Sequence, residues 1–431
     1  MATSSFTAGG RRLPGGRAAL LFRLSLMLVS FIACVAAFSA VLTATRTDVR
    51  ELPAAVERLL DARTGAEKAI AIAQTTLAAR PDDPKAIAAL ASAYLARVRE
   101  TYDPSLYSRA GELLDRATEL APRDVDVAIV AGNLALSRHD FGTALRWGEI
   151  ARSAAPARPA VYGVLADAYT ELGRYDEAVE AAQRMVDLHP DLPSYSRVSY
   201  LRELHGDLDG AIDAMRRAVE AGAPRTEGTA WSEVQLGHLY FAKNDLVGAE
   251  QAYTRAVRRV EGYVFGIAGQ ARVRAERGDL SGAATLYEEL LRRLPVPDFA
   301  IALADVHQRL GDTSRVAQDV RLVSAMQELL KSSGVRSDID FALFDADHDL
   351  RLPDALVTAR AEYRVRPSVT VAMTLAWTEY KNGQLVAASG HARDALRLGW
   401  RDPIALRRAE RIAQASGDVE LRRLVARLDP R

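Results

Sequence analysis

The 431-residue sequence predicts an all-α chain in which one transmembrane helix precedes a solenoid of helix–turn–helix repeats. Three observations carry that reading. Apolar residues make up 49% of the chain but aromatic residues only 6%; the balance is largely Ala and Leu, which favour helix over sheet. Pro122, Pro156, Pro190 and Pro224 fall 34 residues apart, so a unit ending in proline recurs at a fixed period. Leu24 to Thr45 is a run of 22 residues without a charge. The 56 basic and 56 acidic side chains exclude both a polybasic nucleic-acid binder and an acidic disordered chain. A single cysteine excludes an intramolecular disulfide framework and a cysteine-paired zinc ribbon.

The head of the chain reads as a targeting segment. Residues 1–17 are rich in Gly, Ser and Arg and predict a disordered basic tail. Residues 18–45 predict a transmembrane helix or signal anchor, because 22 uncharged residues at about 1.5 Å each reach roughly 30 Å. Arg11, Arg12, Arg17 and Arg23 precede the span and mixed charges follow it. The topology expected is an N-terminus in the cytoplasm and everything beyond Arg46 outside. Residues 46–65 predict a linker helix. A signal peptide cleaved after Ala37-Phe38-Ser39 would instead release a soluble periplasmic protein, although the apolar run is long for one. Phe31-Ile32-Ala33-Cys34 is a poor lipoprotein signal, since the run stays apolar after Cys34. Residues 1–47 hold five arginines and no acid, so the neutral total divides into a basic tail and a mildly acidic remainder.

Beyond the head, the period fixes the elements. Ala110, Ala144, Ala178, Ala211, Ala249 and Ala283 recur near every 34 residues, and Gly173, Gly206, Gly278, Gly311, Gly383 and Gly417 fall at multiples of about that spacing. Within one unit, Val161–Leu172 is apolar along one helical face, Gly173-Arg174 breaks it, and Asp176–Leu188 makes a second amphipathic helix. His189-Pro190 ends the unit. Ala166 and Ala178 are expected where the two helices cross most closely, with Tyr169 filling the space beside them.

These units resemble tetratricopeptide repeats. The best copy carries Tyr162, Leu165-Ala166, Tyr169, Gly173, Tyr175, Ala178, Ala182 and Pro190, matching the W-x2-L-G-x2-Y…Y-x2-A…P pattern with Tyr for Trp and Ala for Gly. Further copies carry Leu236-Gly237, Tyr240, Ala249, Tyr253 and Ala256; then Ala271, Gly278, Ala283 and Tyr287; then Leu375-Ala376, Gly383, Ala388 and Ala392. The resemblance covers about residues 66–430. It implies a right-handed superhelix, a TPR-like α-solenoid, and a role in binding proteins rather than in catalysis.

Departures from the pattern are expected to matter. Seven extra residues between Tyr94 and Ala110 predict a longer loop carrying Glu100 to Pro104. Lys331–Asp340 reads as an irregular connection between a main array, 66–330, and a C-terminal array, 341–431, with Arg422 in a solvated capping pair. Catalytic signatures are lacking. The seven histidines lie in different repeats, no phosphate loop or dinucleotide fingerprint occurs, and Cys34 sits in the span. Asp345, Asp347 and Asp349 alternate like a calcium loop, but Leu350 and Leu356 stand where Gly and Glu are needed, so a solvated turn is expected. No cofactor, metal or nucleic acid is expected.

The first helix of each unit should line the concave face. Its positions free of packing duty are Asn133, Asp167, Glu171, Tyr200, Glu203, Trp231, His238, Phe241, Phe265, Arg272, Phe344, Trp377 and Tyr380, a large share of the scarce aromatics. Asn133 lacks the Lys and Arg that would make a carboxylate clamp. The reading is a membrane-anchored bacterial scaffold for an unidentified protein or peptide outside the cytoplasmic membrane. The alternative is a solute- or glycan-binding accessory protein with Asp340, Asp345, His348 and Arg351 converging near the irregular connection.

Overall fold

The structure is a computed structural model and describes residues 65–336 and 338–429. The expected basic tail 1–17, the span 18–45 and the linker 46–64, with Arg11, Arg12, Arg17 and Arg23, lie outside the described residues. Among the described residues, no helix is long and apolar enough to cross a membrane. The chain divides into a segment ending at Lys68 and a compact array from Ala69 to Arg431.

The described residues form 21 helices and no strand. After α1 (Gly65–Ala79) come ten helical hairpins. The first five are α2 (Pro84–Thr101) with α3 (Ser105–Leu120), α4 (Val125–Ser137) with α5 (Phe141–Ala154), α6 (Pro159–Glu171) with α7 (Tyr175–Leu188), α8 (Leu192–Leu204) with α9 (Leu208–Ala221), and α10 (Glu227–Ala242) with α11 (Leu246–Arg259). The rest are α12 (Val264–Glu276) with α13 (Leu280–Arg293), α14 (Pro297–Leu310) with α15 (Thr313–Ser332), α16 (Asp338–Asp347) with α17 (Leu352–Val365), α18 (Val369–Lys381) with α19 (Leu385–Ala395), and α20 (Pro403–Ser416) with α21 (Val419–Leu428).

A two-residue signal makes many of the hairpin turns. Gly206-Asp207, Gly278-Asp279, Gly311-Asp312 and Gly417-Asp418 each put glycine in the left-handed region. The following Asp caps the next helix; Asp207 Oδ1, for example, accepts the backbone N–H of Gly210 at 2.9 Å. The two helices of a hairpin bury different amounts of themselves. Helix α6 buries Val161, Gly163, Val164, Leu165, Ala166, Ala168, Tyr169 and Thr170, most of its circumference, because it meets its own partner and the neighbouring hairpins. Helix α7 buries only the stripe Tyr175, Ala178, Ala181, Ala182 and Met185.

Ala166 and Ala178 are buried, as are Ala249, Ala271, Ala283, Ala376 and Ala388 at equivalent places. Tyr169 fills the gap beside the crossing and its hydroxyl donates to Glu149 at 2.6 Å. A β-carbon at Gly237 would run into the ring of Tyr253, which is fully buried between α10 and α12. Tyr240 is half-buried, and its hydroxyl accepts from Arg216 at 2.7 Å. Pro190 is exposed between α7 and the capping box of Asp191 and Ser194 that starts α8.

Of the two irregularities, the first differs from expectation. The extra residues between Tyr94 and Ala110 do not make a long loop: they extend α2 to Thr101, leaving Tyr102 to Pro104 as the connection. Helix propagation adds one hydrogen bond per residue fixed, so lengthening the helix is favoured over an open loop. At the second irregularity, apolar packing continues through Ala300, Ala304, Val323, Met326, Phe341 and Phe344, from α14 across α15 to α16.

The array winds until its later hairpins meet its earlier ones. Arg336 N–H donates to the carbonyl of Arg138 at 3.1 Å, and the His139 ring donates to the carbonyl of Arg336 at 3.0 Å. Val369 N–H donates to the Tyr175 hydroxyl at 2.8 Å. Gly173 and Gly206 approach the backbones of Pro367 and Gly399 so closely that a β-carbon at either would overlap a carbonyl oxygen.

Candidate functional site

Winding of the array encloses a lumen lined mainly by the first helix of each hairpin. One cleft, of about 610 Å³, is bounded by Phe241 of α10, Arg272, Ala275 and Glu276 of α12, Tyr287 of α13, and Ala302, Asp305, Val306, Gln308 and Arg309 of α14. Asp347, Asp349, Trp377, Lys381, Ile404, Arg407, Arg408 and Arg411 complete it from α16 to α20. Helices α10 and α12 thus face α20, five and four hairpins further along the chain.

The charges of this cleft are organised. Trp377 Nε1 donates to Asp347 at 2.8 Å, and Arg408 pairs with the other oxygen of that carboxylate at 2.6 Å. Trp377 stacks on Tyr380 with ring centroids 4.9 Å apart. Lys381 pairs with Asp349 at 2.6 Å, and Asp305 accepts from His348 Nε2 at 3.1 Å. Arg309 donates to the carbonyl of Ala275 at 2.8 Å. Arg272 lies 4.0 Å over the ring of Phe241, a cation–π contact. Among the described residues, no carboxylate comes within ion-pair reach of Arg272, Arg407 or Arg411.

A second cleft, about 370 Å³, is acidic. Asp167, Glu171 and Asp340 line it beside His139, Phe141 and Arg366. Arg197 grips Asp167 through two nitrogens, at 2.8 and 2.6 Å, and Arg366 pairs with Glu171 at 3.0 Å. Burial, then Asp340 and Asp167 against the opposing pull of Arg366, pushes the Glu171 carboxyl above its ordinary range. Burial likewise raises Asp340, and raises Asp298 with Asp340 adding repulsion. Glu203 is pushed up to about 7 by burial and by Asp402, against the pull of Arg272. Tyr200 is 39% exposed, and desolvation with the nearby Glu171 and Glu203 raises its hydroxyl well above its ordinary value.

A family model of the tetratricopeptide repeat matches residues 135–202, which span the end of α4 to α8. Those residues carry tetratricopeptide repeats. No curated protein matches it in sequence. Among solved structures it is similar to a thermophilic TPR protein of Thermus thermophilus, at 20% identity over 40% of this chain and 92% of that one, with a TM-score of 0.36. It is also similar to MamA, at 19% identity over 39% of this chain and 90% of that one, with a TM-score of 0.30. The Cut9–Hcn1 hetero-tetramer contains a chain that matches at 12% identity over 85% of this chain and 60% of that one, with a TM-score of 0.44.

Within the array, the concave positions read from sequence divide into groups. Phe241, Arg272 and Trp377 meet at the large cleft, with Tyr380 stacked behind Trp377, and Asp167 and Glu171 meet at the acidic one. Phe344 is a correction: it is 2% exposed, packed in the apolar cluster with Val323 and Met326, because α16 is short and turns this face to α15. Phe265 packs against Tyr102 at 5.1 Å and Phe299 at 5.4 Å, and so joins hairpins rather than standing open. His238 is held by the Tyr253 hydroxyl at 2.7 Å, and burial depresses it to about 3, so it stays neutral. Trp231 is 39% exposed and Asn133 half-buried; neither borders the two clefts.

The four residues of the alternative reading do not converge. Asp340 borders the acidic cleft, Asp345 pairs with Arg351 at 3.0 Å, and His348 turns to Asp305. Asp345, Asp347 and Asp349 each face a different cation, so they do not point at one centre. Sequence reasoning missed Arg407, Arg408 and Arg411. Their signal was present, since Arg407 and Arg411 lie one turn apart on one face of a first helix. It was read as a solvated cap because no local pattern brings α20 across to α12.

Proposed function

We propose that this tetratricopeptide repeat protein is a scaffold that binds an extended segment of a partner protein inside its lumen, held by its N-terminal segment at the outer face of a cytoplasmic membrane. The observation that supports the binding part is the cleft of about 610 Å³, in which rings and unpaired guanidinium groups from different hairpins face a common space. The membrane part rests on the uncharged run from Leu24 to Thr45 and the arginines before it.

A photo-crosslinking amino acid placed at Gln308, which is exposed and borders the cleft, tests the first part. The same probe at Val386, 88% exposed on the second helix of its hairpin, is the comparison. Protein adducts from position 308 and not 386 are expected; adducts from 386 alone would remove the lumen as the binding surface. Protease treatment of intact and permeabilised cells tests the topology, the array being cleaved without permeabilising the inner membrane. N-terminal sequencing of the mature protein separates an anchor from a cleaved signal.

A further inference from the structure

We propose that the lumen holds an acidic segment of the partner, its carboxylates meeting Arg272, Arg407 and Arg411 where α12 faces α20. This rests on the lumen being the binding surface and names the chemistry it selects.

Those three guanidinium groups are the cleft's uncommitted cations. Lys381 and Arg408 already neutralise Asp349 and Asp347, and Arg309 is engaged by a backbone carbonyl. Arg407 and Arg411 are exposed and border the cleft, and Arg272 lies over Phe241 with its nitrogens unpaired by any carboxylate among the described residues. A guanidinium with open donors accepts a carboxylate in two-point geometry. Between the cations the walls are apolar, formed by Ala302, Val306, Ile404 and the ring of Trp377. An extended chain alternating acidic and apolar side chains fits that mixture, since its alternate residues point to opposite walls.

Two features restrict the ligand to a peptide rather than a polyanion. Glu276, Asp305, Asp347 and Asp349 are interleaved with the cations and would repel phosphates at close spacing. At the acidic cleft, Asp340 already repels Glu171, so a continuous polyanion has no favourable path from one cleft to the other. The same acids confine an acidic peptide to the α12–α20 side.

The test uses full-length protein in detergent and three fluorescein-labelled 12-residue peptides of one apolar framework, whose alternate positions are Glu, Gln or Lys. Anisotropy titration should show the Glu peptide binding at least tenfold more tightly than the Gln peptide and weakening as salt rises. Arg407→Gln with Arg411→Gln should reduce that affinity about tenfold while the melting temperature holds, because neither side chain supports the fold. Equal binding of the Glu and Gln peptides, preference for Lys, or an unchanged affinity in the double variant would overturn the proposal. So would an oligonucleotide displacing the Glu peptide at lower concentration than unlabelled Glu peptide does. Crosslinking of a protein at Gln308 together with no Glu preference would leave lumen binding standing and remove only the acidic ligand.

Discussion

Arg366 donates to Glu171 at 3.0 Å across 195 positions of the chain, joining the end of α17 to the end of α6. Arg366 is 6% exposed; it also pairs with Glu362, and its guanidinium lies 5.0 Å over the ring of Phe141. One cation therefore serves two carboxylates and a ring where successive turns of the superhelix meet.

Removing the two members of this pair should have unequal effects. Arg366→Met leaves Glu171 and Glu362 unpaired beside Asp340 and should cost about 3–5 kcal/mol. Glu171→Gln should cost less than about 1 kcal/mol, because burial already disfavours the charge it removes. Urea unfolding near neutral pH measures both. Equal losses would show that the pair acts through Coulomb attraction alone.

The closeness of the turns predicts an ordering among glycine variants. Gly206 and Gly383 have φ of +75° and +74°, but only Gly206 has another backbone against it, at Gly399. Gly383→Ala should cost about 1 kcal/mol from the left-handed backbone alone. Gly206→Ala should cost about 2–4 kcal/mol, since the α9 turn must also move from the α19–α20 connection. Small-angle scattering of the Gly206 variant should show a more open particle, while the Gly383 variant keeps the native profile.

Glu203 makes stability depend on pH in a definite sense. Its folded carboxyl titrates at about 7 against 4.5 for the free group, so below pH 4.5 both states are protonated and it contributes no difference. As pH rises from 4.5 to 7 the unfolded chain releases its proton first, and this residue's contribution to stability falls. Glu203→Gln should match the native protein near pH 4.5 and exceed it by about 2–3 kcal/mol at pH 8. Thermal unfolding across that range provides the check; a constant offset between the two proteins would contradict the raised value.

The hairpin was legible in the sequence because its determinants are local. The 34-residue period, the small residues at Ala166, Ala178 and Gly237, and the turns opened by Gly206 and Gly278 each act within two neighbouring helices. Read with the same rules, the surplus residues before Ala110 were misassigned. The lengthened helix also carries Tyr102 to Phe265, 163 positions away, a contact that no local pattern shows.

By itself the sequence determined an all-helical array of repeated helical hairpins. Only the tertiary structure decided how far the array winds. That outcome is the sum of small rotations between successive hairpins, each set by packing volumes too slight to read from residue type. Once summed, they place Gly173 against Pro367, carry Arg366 to Glu171, turn Phe344 into the core and bring Arg407 and Arg411 into the cleft that Arg272 borders.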